Sequence, residues 1–200
     1  MTRTIEFYFD FVSPYSYLAN TQLPALAGEH DAAVVYRPFR LLELMKRVGN
    51  RPTTIECQNK QRYATADLGR WASKYGVSVR RNPQMRAIDL AQLLRGALIA
   101  ADDGQAAPYV SAVFGALWNG ARDLSQNAEL AALLSEAGLD GTKLLERAQD
   151  ANVVARLDRQ TADAAERGVF GSPSIFIGDE LFFGNDRLEF VAAALAARKA

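Results

Sequence analysis

The stretch Thr4-Ile5-Glu6-Phe7-Tyr8-Phe9-Asp10-Phe11-Val12-Ser13-Pro14-Tyr15-Ser16 decides how the rest of the chain is read. Ile5, Phe7, Phe9 and Phe11 fall on one side of an alternation; Thr4, Glu6, Tyr8 and Asp10 fall on the other. Period-two alternation rich in aromatics predicts a strand with one face on a core. Val12-Ser13-Pro14 breaks it. Proline has a preset φ and no amide proton, so Pro14 suits the first position of a helix, with Ser13 as its N-cap. Leu18, Leu23 and Leu26 then fit a helix over residues 15–27, which Gly28 should end. Residues 32–37 predict a second strand. The chain therefore opens β–α–β, with Ser13 at a strand-to-helix junction.

The middle, residues 42–167, is predicted helical throughout. Leu68, Trp71 and Ala72 mark one helical face, stopped by Gly76. Asn82-Pro83 suggests another cap-and-proline start, followed by Ile88, Ala91, Leu94 and Leu98 at helical spacing. Further helices fit 108–118, 129–137 (stopped by Gly138) and 152–167 (stopped by Gly168). The end returns to strands at 174–177 and 181–183, joined by Gly178-Asp179 as a hairpin, before a last helix at 187–198. The pattern β–α–β, helices, β–β–α is that of a thioredoxin-like α/β domain with a large all-helical insertion. On this division, 1–41 and 168–200 form one discontinuous domain, and 42–167 is the insertion.

Composition excludes several kinds of chemistry. The 200 residues carry 23 Lys+Arg against 23 Asp+Glu, a formal charge of zero that offers no field for a polyanion. Nucleic acid is therefore not expected as a partner. No apolar run is long enough to cross a bilayer, and Glu6 and Asp10 interrupt any signal-peptide core, so a cytoplasmic protein is expected. One cysteine, Cys57, permits no intrachain disulfide and no CxxC pair. With His30 as the single histidine, no zinc site of His and Cys ligands can form, and no metal is expected. His30 lies in a polar turn and is expected to be solvated.

Ser13 is the leading candidate for chemistry. A strand-to-helix junction exposes unpaired backbone amides at the positive end of a helix dipole, which stabilises an anion. A serine there cannot exchange disulfides, but it can donate to a thiolate supplied from outside; the alternative is an ordinary N-cap. Ser172-Pro173, just before the 174–177 strand and opposite the Ser13 loop, fits a cis-proline whose Ser172 backbone pairs with an extended peptide. A trans proline opening the strand is the alternative. Asn185 and Asp186 precede the last helix, as caps or as partners for a ligand ammonium group. Asn50 and Lys60 lie in a polar stretch and divide between solvated surface and ligand contact. Cys57 has no activating neighbour in sequence and reads as an inert thiol.

Three segments together resemble a known family. Phe7-Tyr8-Phe9-Asp10-Phe11-Val12-Ser13-Pro14-Tyr15-Ser16-Tyr17-Leu18-Ala19 is similar to the opening of 2-hydroxychromene-2-carboxylate isomerases, relatives of kappa-class glutathione transferases in the DsbA-like group. Asp67-Leu68-Gly69-Arg70-Trp71-Ala72 with Tyr75-Gly76 resembles their mid-chain signature. Val169-Phe170-Gly171-Ser172-Pro173 and Gly178-Asp179-Glu180-Leu181-Phe182-Phe183-Gly184-Asn185-Asp186-Arg187-Leu188 resemble their C-terminal one.

The resemblance implies glutathione as cofactor. Ser13 would hydrogen-bond its sulfur, and Ser172 with Pro173 would pair with the tripeptide backbone. Asn185 and Asp186 would hold the γ-glutamyl end, with Asn50 and Lys60 as further contacts. It also implies a small aromatic carboxylate substrate and a homodimer. The implied reaction is the glutathione-dependent interconversion of 2-hydroxychromene-2-carboxylate and trans-o-hydroxybenzylidenepyruvate in naphthalene-type aromatic catabolism, by reversible thiolate addition. A kappa-like transferase conjugating glutathione to electrophiles is the alternative within the same resemblance. A thioredoxin-fold module without redox activity that binds extended peptides is the alternative outside it. The sequence departs from the naphthalene-pathway pattern at Met45, where those enzymes carry a lysine beside this chain's Lys46, and over residues 80–86. Arg40, Lys46 and Arg86 divide between meeting a substrate carboxylate and plain surface charge.

Overall fold

The computed structural model describes residues 3–197. β1 (Arg3–Phe9), α1 (Pro14–Glu29) and β2 (Ala32–Pro38) open the chain. There follow α2 (Leu41–Arg47), α3 (Thr53–Glu56), α4 (Gln58–Tyr75), α5 (Leu90–Asp102), α6 (Ala106–Trp118), α7 (Asn127–Glu136), α8 (Gly141–Arg147) and α9 (Ala151–Glu166). β3 (Ser174–Ile177), β4 (Glu180–Phe183), a 3₁₀ turn (Asn185–Arg187) and α10 (Leu188–Ala197) close it. The strands lie in the order β2-β1-β3-β4. β1 runs parallel to β2 and antiparallel to β3, and β3 is antiparallel to β4. A parallel pair needs a crossover, which α1 supplies. This is the sheet of a thioredoxin-like domain, with a helical insertion between β2 and β3.

The aromatic strand forms the centre of the fold. Ile5, Phe7, Phe9 and Phe11 are fully buried. Phe9 and Phe11 meet at 5.2 Å between ring centroids, and Phe11 meets Phe114 of α6 at 4.8 Å. Burying one such ring stabilises by about 1.5–3 kcal/mol, and each favourable ring pair adds roughly 0.5–1.5 kcal/mol. The second face of β1 differs from the sequence expectation. Tyr8 is also buried, in a separate cluster with Phe39, Leu44, Ala164, Val169 and Phe176. A central strand covered by helices on both sides buries both of its faces, and alternation in one strand cannot reveal that.

Three local expectations are corrected. Gly28 does not end α1, which continues to Glu29 with His30 as cap; Asp31 takes the left-handed turn at φ 48°. His30 is therefore half-buried rather than solvated. Asn82-Pro83 does not start a helix. Asn82 is buried, and its side-chain amide donates to the carbonyls of Ala116 (3.0 Å) and Arg122 (2.8 Å), fastening an irregular segment to the end of α6. The α5 start is Asp89, which caps Gln92 N instead. The sequence also places the basic residues Arg198 and Lys199 at the end of the last helix, and both lie outside the described residues. Gly76, Gly138 and Gly168 do adopt positive φ just past the ends of α4, α7 and α9.

Candidate functional site

Ser13 is the N-cap of α1, as its Ser-Pro sequence predicts: extended backbone, Pro14 next, and its Oγ accepting from Ser16 N at 3.2 Å. The same hydroxyl donates to the Ser172 carbonyl at 3.1 Å. The Ser172-Pro173 bond is cis, and β3 begins at the next residue. The Ser172 side chain faces the same way: its Oγ accepts from Asp10 N at 3.0 Å and lies 2.6 Å from Ser16 Oγ. Two loops 159 residues apart in sequence thus converge at the positive end of the α1 dipole.

Asn50 joins this junction from the turn that follows α2. Its backbone N–H donates to Met45 O (2.8 Å), and its side-chain amide donates to Phe170 O (2.7 Å), two residues before Ser172. Met45 itself is almost fully buried and contributes no cation, while Lys46 beside it is exposed. Arg40 is engaged elsewhere, by Asp158 and Glu43 at 2.9 Å each. Among the described residues Arg80, Arg81 and Arg86 have no ion-pair partner. They sit on the segment that Tyr17 and Trp118 attach beside the Ser13 loop: Tyr17 OH donates to Ser78 O, Arg80 N donates to Trp118 O, and Trp118 Nε1 donates to Phe11 O.

Asn185 and Asp186 line a groove of about 250 Å³ with Gln22 of α1, Trp71 and Tyr75 of α4, and Glu189 of α10. Ser13 is not part of its lining. Asn185 is 2% exposed; its carbonyl accepts from Tyr75 OH at 2.8 Å, yet its Nδ2 has no partner. A buried donor without an acceptor is uncommon, and Asn185 lines the groove. Asp186 pairs with the adjacent Arg187.

Tyr15 connects the two regions, and sequence analysis did not single it out. Burial, with the Asp67 carboxylate beside it and Asp186 further off, pushes its phenol up to about 12. α4 therefore runs past the start of α1, presenting Asp67 to Tyr15 and Tyr75 to Asn185. Lys60 is exposed in the first turn of α4. At 1.5 Å per residue it stands roughly 22 Å along the helix from Tyr75, so the structure does not bring it to Asn185.

Asp10 was also missed, because its place in the alternation suggested a solvent-facing end to β1. It is 6% exposed, with its carboxylate accepting from Val12 N (3.0 Å) and Leu41 N (2.8 Å). Burial pushes this carboxyl up to about 6, against the pull of those two amides and of Arg40. A carboxylate ending an aromatic strand immediately before a helix cap was the available signal.

Neither Cys57 nor His30 joins the site. Cys57 is an exposed free thiol at the N-cap of α4, and His30 caps the end of α1 opposite Ser13. The helix start thus carries a hydroxyl and no sulfur of its own.

Comparison with known proteins identifies the fold and the family. The family model of the DsbA-like thioredoxin domain covers residues 4–196. A 2-hydroxychromene-2-carboxylate isomerase of Sphingobium xenophagum is 36% identical over 196 residues, spanning 98% of this chain and 99% of that one. The chain belongs to the 2-hydroxychromene-2-carboxylate isomerase family of DsbA-like thioredoxin-fold proteins. A solved structure of a 2-hydroxychromene-2-carboxylate isomerase superposes with a TM-score of 0.86 at 33% identity, covering 97% of this chain and 95% of the other. A more distant relative, glutathione S-transferase kappa 1 of Homo sapiens, is 23% identical over 220 residues, 99% of this chain and 93% of that one. This membership supports isomerase activity. No helix among the described residues is long and apolar enough to cross a membrane.

Proposed function

We propose that the protein is a glutathione-dependent cis–trans isomerase of a small aromatic carboxylate, of the 2-hydroxychromene-2-carboxylate type. The observation that carries this reading is the Ser13–Ser172 junction: an anion-stabilising helix start beside a peptide carbonyl, with a serine where a thiol-bearing protein would place its sulfur. The residues present fit the tripeptide. The unpartnered Asn185 Nδ2 suits a carboxylate of the γ-glutamyl end, and Asp186 suits its ammonium group. Arg187 is no obstacle, since an exposed ion pair contributes little. Ser172, Pro173 and Asn50 would hold the peptide backbone, and Lys60 a more peripheral part of it.

Bound glutathione supplies a thiolate whose reversible addition turns the substrate's conjugated double bond into a rotatable single bond, and whose expulsion regenerates it. The protein's task is to keep that sulfur ionised at neutral pH. A thiol of pKa about 8.5 is only about 3% thiolate at pH 7, whereas lowering it by about two units makes roughly three quarters thiolate. Ser13 Oγ–H by hydrogen bonding, and the positive end of the α1 dipole by its field, would provide that shift. The exposed cations Arg80, Arg81 and Arg86 supply candidate partners for the substrate carboxylate.

The test follows the chromene spectrally with and without glutathione, in the native protein and in Ser13→Ala. Conversion that needs glutathione, regenerates it, and falls in Ser13→Ala is expected; substantial conversion without glutathione overturns the proposal. A kappa-like conjugating transferase is the second reading, favoured by the kappa-class relationship and by the absence of a cation at Met45. Net consumption of thiol distinguishes it.

A further inference from the structure

We propose that Asp10 is the positioning residue of the candidate site: its carboxylate closes a ring of hydrogen bonds that holds the Ser13 loop, the Ser172 loop and Asn50 in one arrangement. The inference rests on the site as read above but concerns a residue that touches no ligand.

The ring can be followed atom by atom. Asp10 Oδ1 accepts from Val12 N inside the Ser13 loop, and Asp10 O accepts from Ser13 N (3.1 Å). Asp10 Oδ2 accepts from Leu41 N, the first residue of α2. Arg40, at the N-cap position of α2, provides no side-chain capping bond, so Asp10 caps that helix from just beyond the end of β1. α2 leads to Asn50, which is fixed to Met45 O and grips Phe170 O. Two residues on, Ser172 Oγ accepts from Asp10 N, and the circuit is complete.

Protonation breaks this circuit at a defined place. A protonated carboxyl oxygen points its own hydrogen outward and no longer accepts well from an amide that faces it, so Leu41 or Val12 loses its partner. The charged group facing Asp10 is Arg40, itself held by Glu43 of α2 and Asp158 of α9; the Ser13 and Ser172 loops bring hydroxyls. With the carboxyl pushed up to about 6, the change falls in an accessible pH range.

The experiment follows the backbone amides of Val12 and Leu41 and the side-chain amide of Asn50 by NMR from pH 8 to 5 in ligand-free protein. In parallel it measures affinity for γ-glutamyl-alanyl-glycine, a tripeptide with no thiol to titrate. The three resonances should move together with a midpoint of about 6, and the affinity should fall about tenfold across it. In Asp10→Asn both responses should be lost. If that variant does not fold, Leu41→Pro removes the donated amide at a helix position where proline is tolerated, and should uncouple Asn50 alone. An Asn50 signal that ignores the Val12 and Leu41 titration overturns the proposal, as does a binding affinity independent of pH in the native protein. Concerted titration with no tripeptide binding at any pH upholds the Asp10 ring and removes glutathione from the account instead.

Discussion

The Ser13 hydroxyl donates to the Ser172 carbonyl across 3.1 Å, so the start of α1 and the cis-proline loop satisfy each other. Both groups are the ones an extended thiol peptide would use: the hydroxyl to face a sulfur, the carbonyl to accept a peptide N–H. Binding would therefore exchange one internal bond for two to the ligand, with the protein's geometry set beforehand.

Ser13→Ala removes the proposed donor to the thiolate and the observed cap of α1. A hydrogen bond to a charged group contributes about 1.5–3 kcal/mol, which corresponds to roughly a 10–150-fold loss of kcat/KM. The lost cap should cost about 1 kcal/mol of stability. Steady-state kinetics and chemical denaturation on the same preparation measure the two effects separately.

Asn185→Leu should split binding from stability in the opposite way. Asn185 Nδ2 is buried without a partner, and replacing an unsatisfied polar group by an apolar one of similar shape is close to neutral for folding. Glutathione affinity should drop about tenfold while the Tm holds or rises. Calorimetric titration and a thermal melt check this; a large fall in Tm would mean that the amide is satisfied inside the fold.

Trp118→Phe tests the attachment of the 78–82 segment to the Ser13 loop. The indole Nε1 donates to Phe11 O at 2.8 Å in a buried setting, and phenylalanine leaves that carbonyl unpaired. A loss of about 1–3 kcal/mol is expected from urea denaturation.

Glu6 governs acid stability on the other side of the sheet. Arg167 bonds one of its carboxylate oxygens at 2.7 Å and Arg37 the other at 3.2 Å. Chiefly through Arg167, its pKa is held below the usual 4.5. A depressed folded-state pKa contributes stability above the unfolded value and loses it as pH falls through the folded one. Glu6→Gln should therefore be less stable than the native protein at neutral pH, with the difference closing below about pH 4.5. Urea midpoints of the two proteins across that range decide it.

Local patterns made much of this legible. The alternation of Ile5 to Phe11, the Ser13-Pro14 cap and the glycines at 76, 138 and 168 are short-range signals, and the structure follows them. What escaped depends on distant partners. Asp10 reads as an outward residue until Leu41 and Ser172 approach it, and Tyr8 until α9 covers the second face of β1. Asn82-Pro83 carries a helix-start pattern, but the carbonyls of Ala116 in α6 and Arg122 beyond it compete successfully for the Asn82 amide. The convergence of Ser13 with Ser172 was expected from the strand pattern and its fold, whereas the linking of Asn50 to Phe170 and of Tyr75 to Asn185 depends on long-range contacts that no local pattern carries.

The most direct measurement is the ionisation of glutathione's thiol on the protein, read from thiolate ultraviolet absorbance as pH is varied. The native protein should bring the bound thiol from about 8.5 to about 6.5, and Ser13→Ala should return most of that shift. A bound thiol that titrates as it does in free solution, or a shift that survives intact without the Ser13 hydroxyl, would contradict the account.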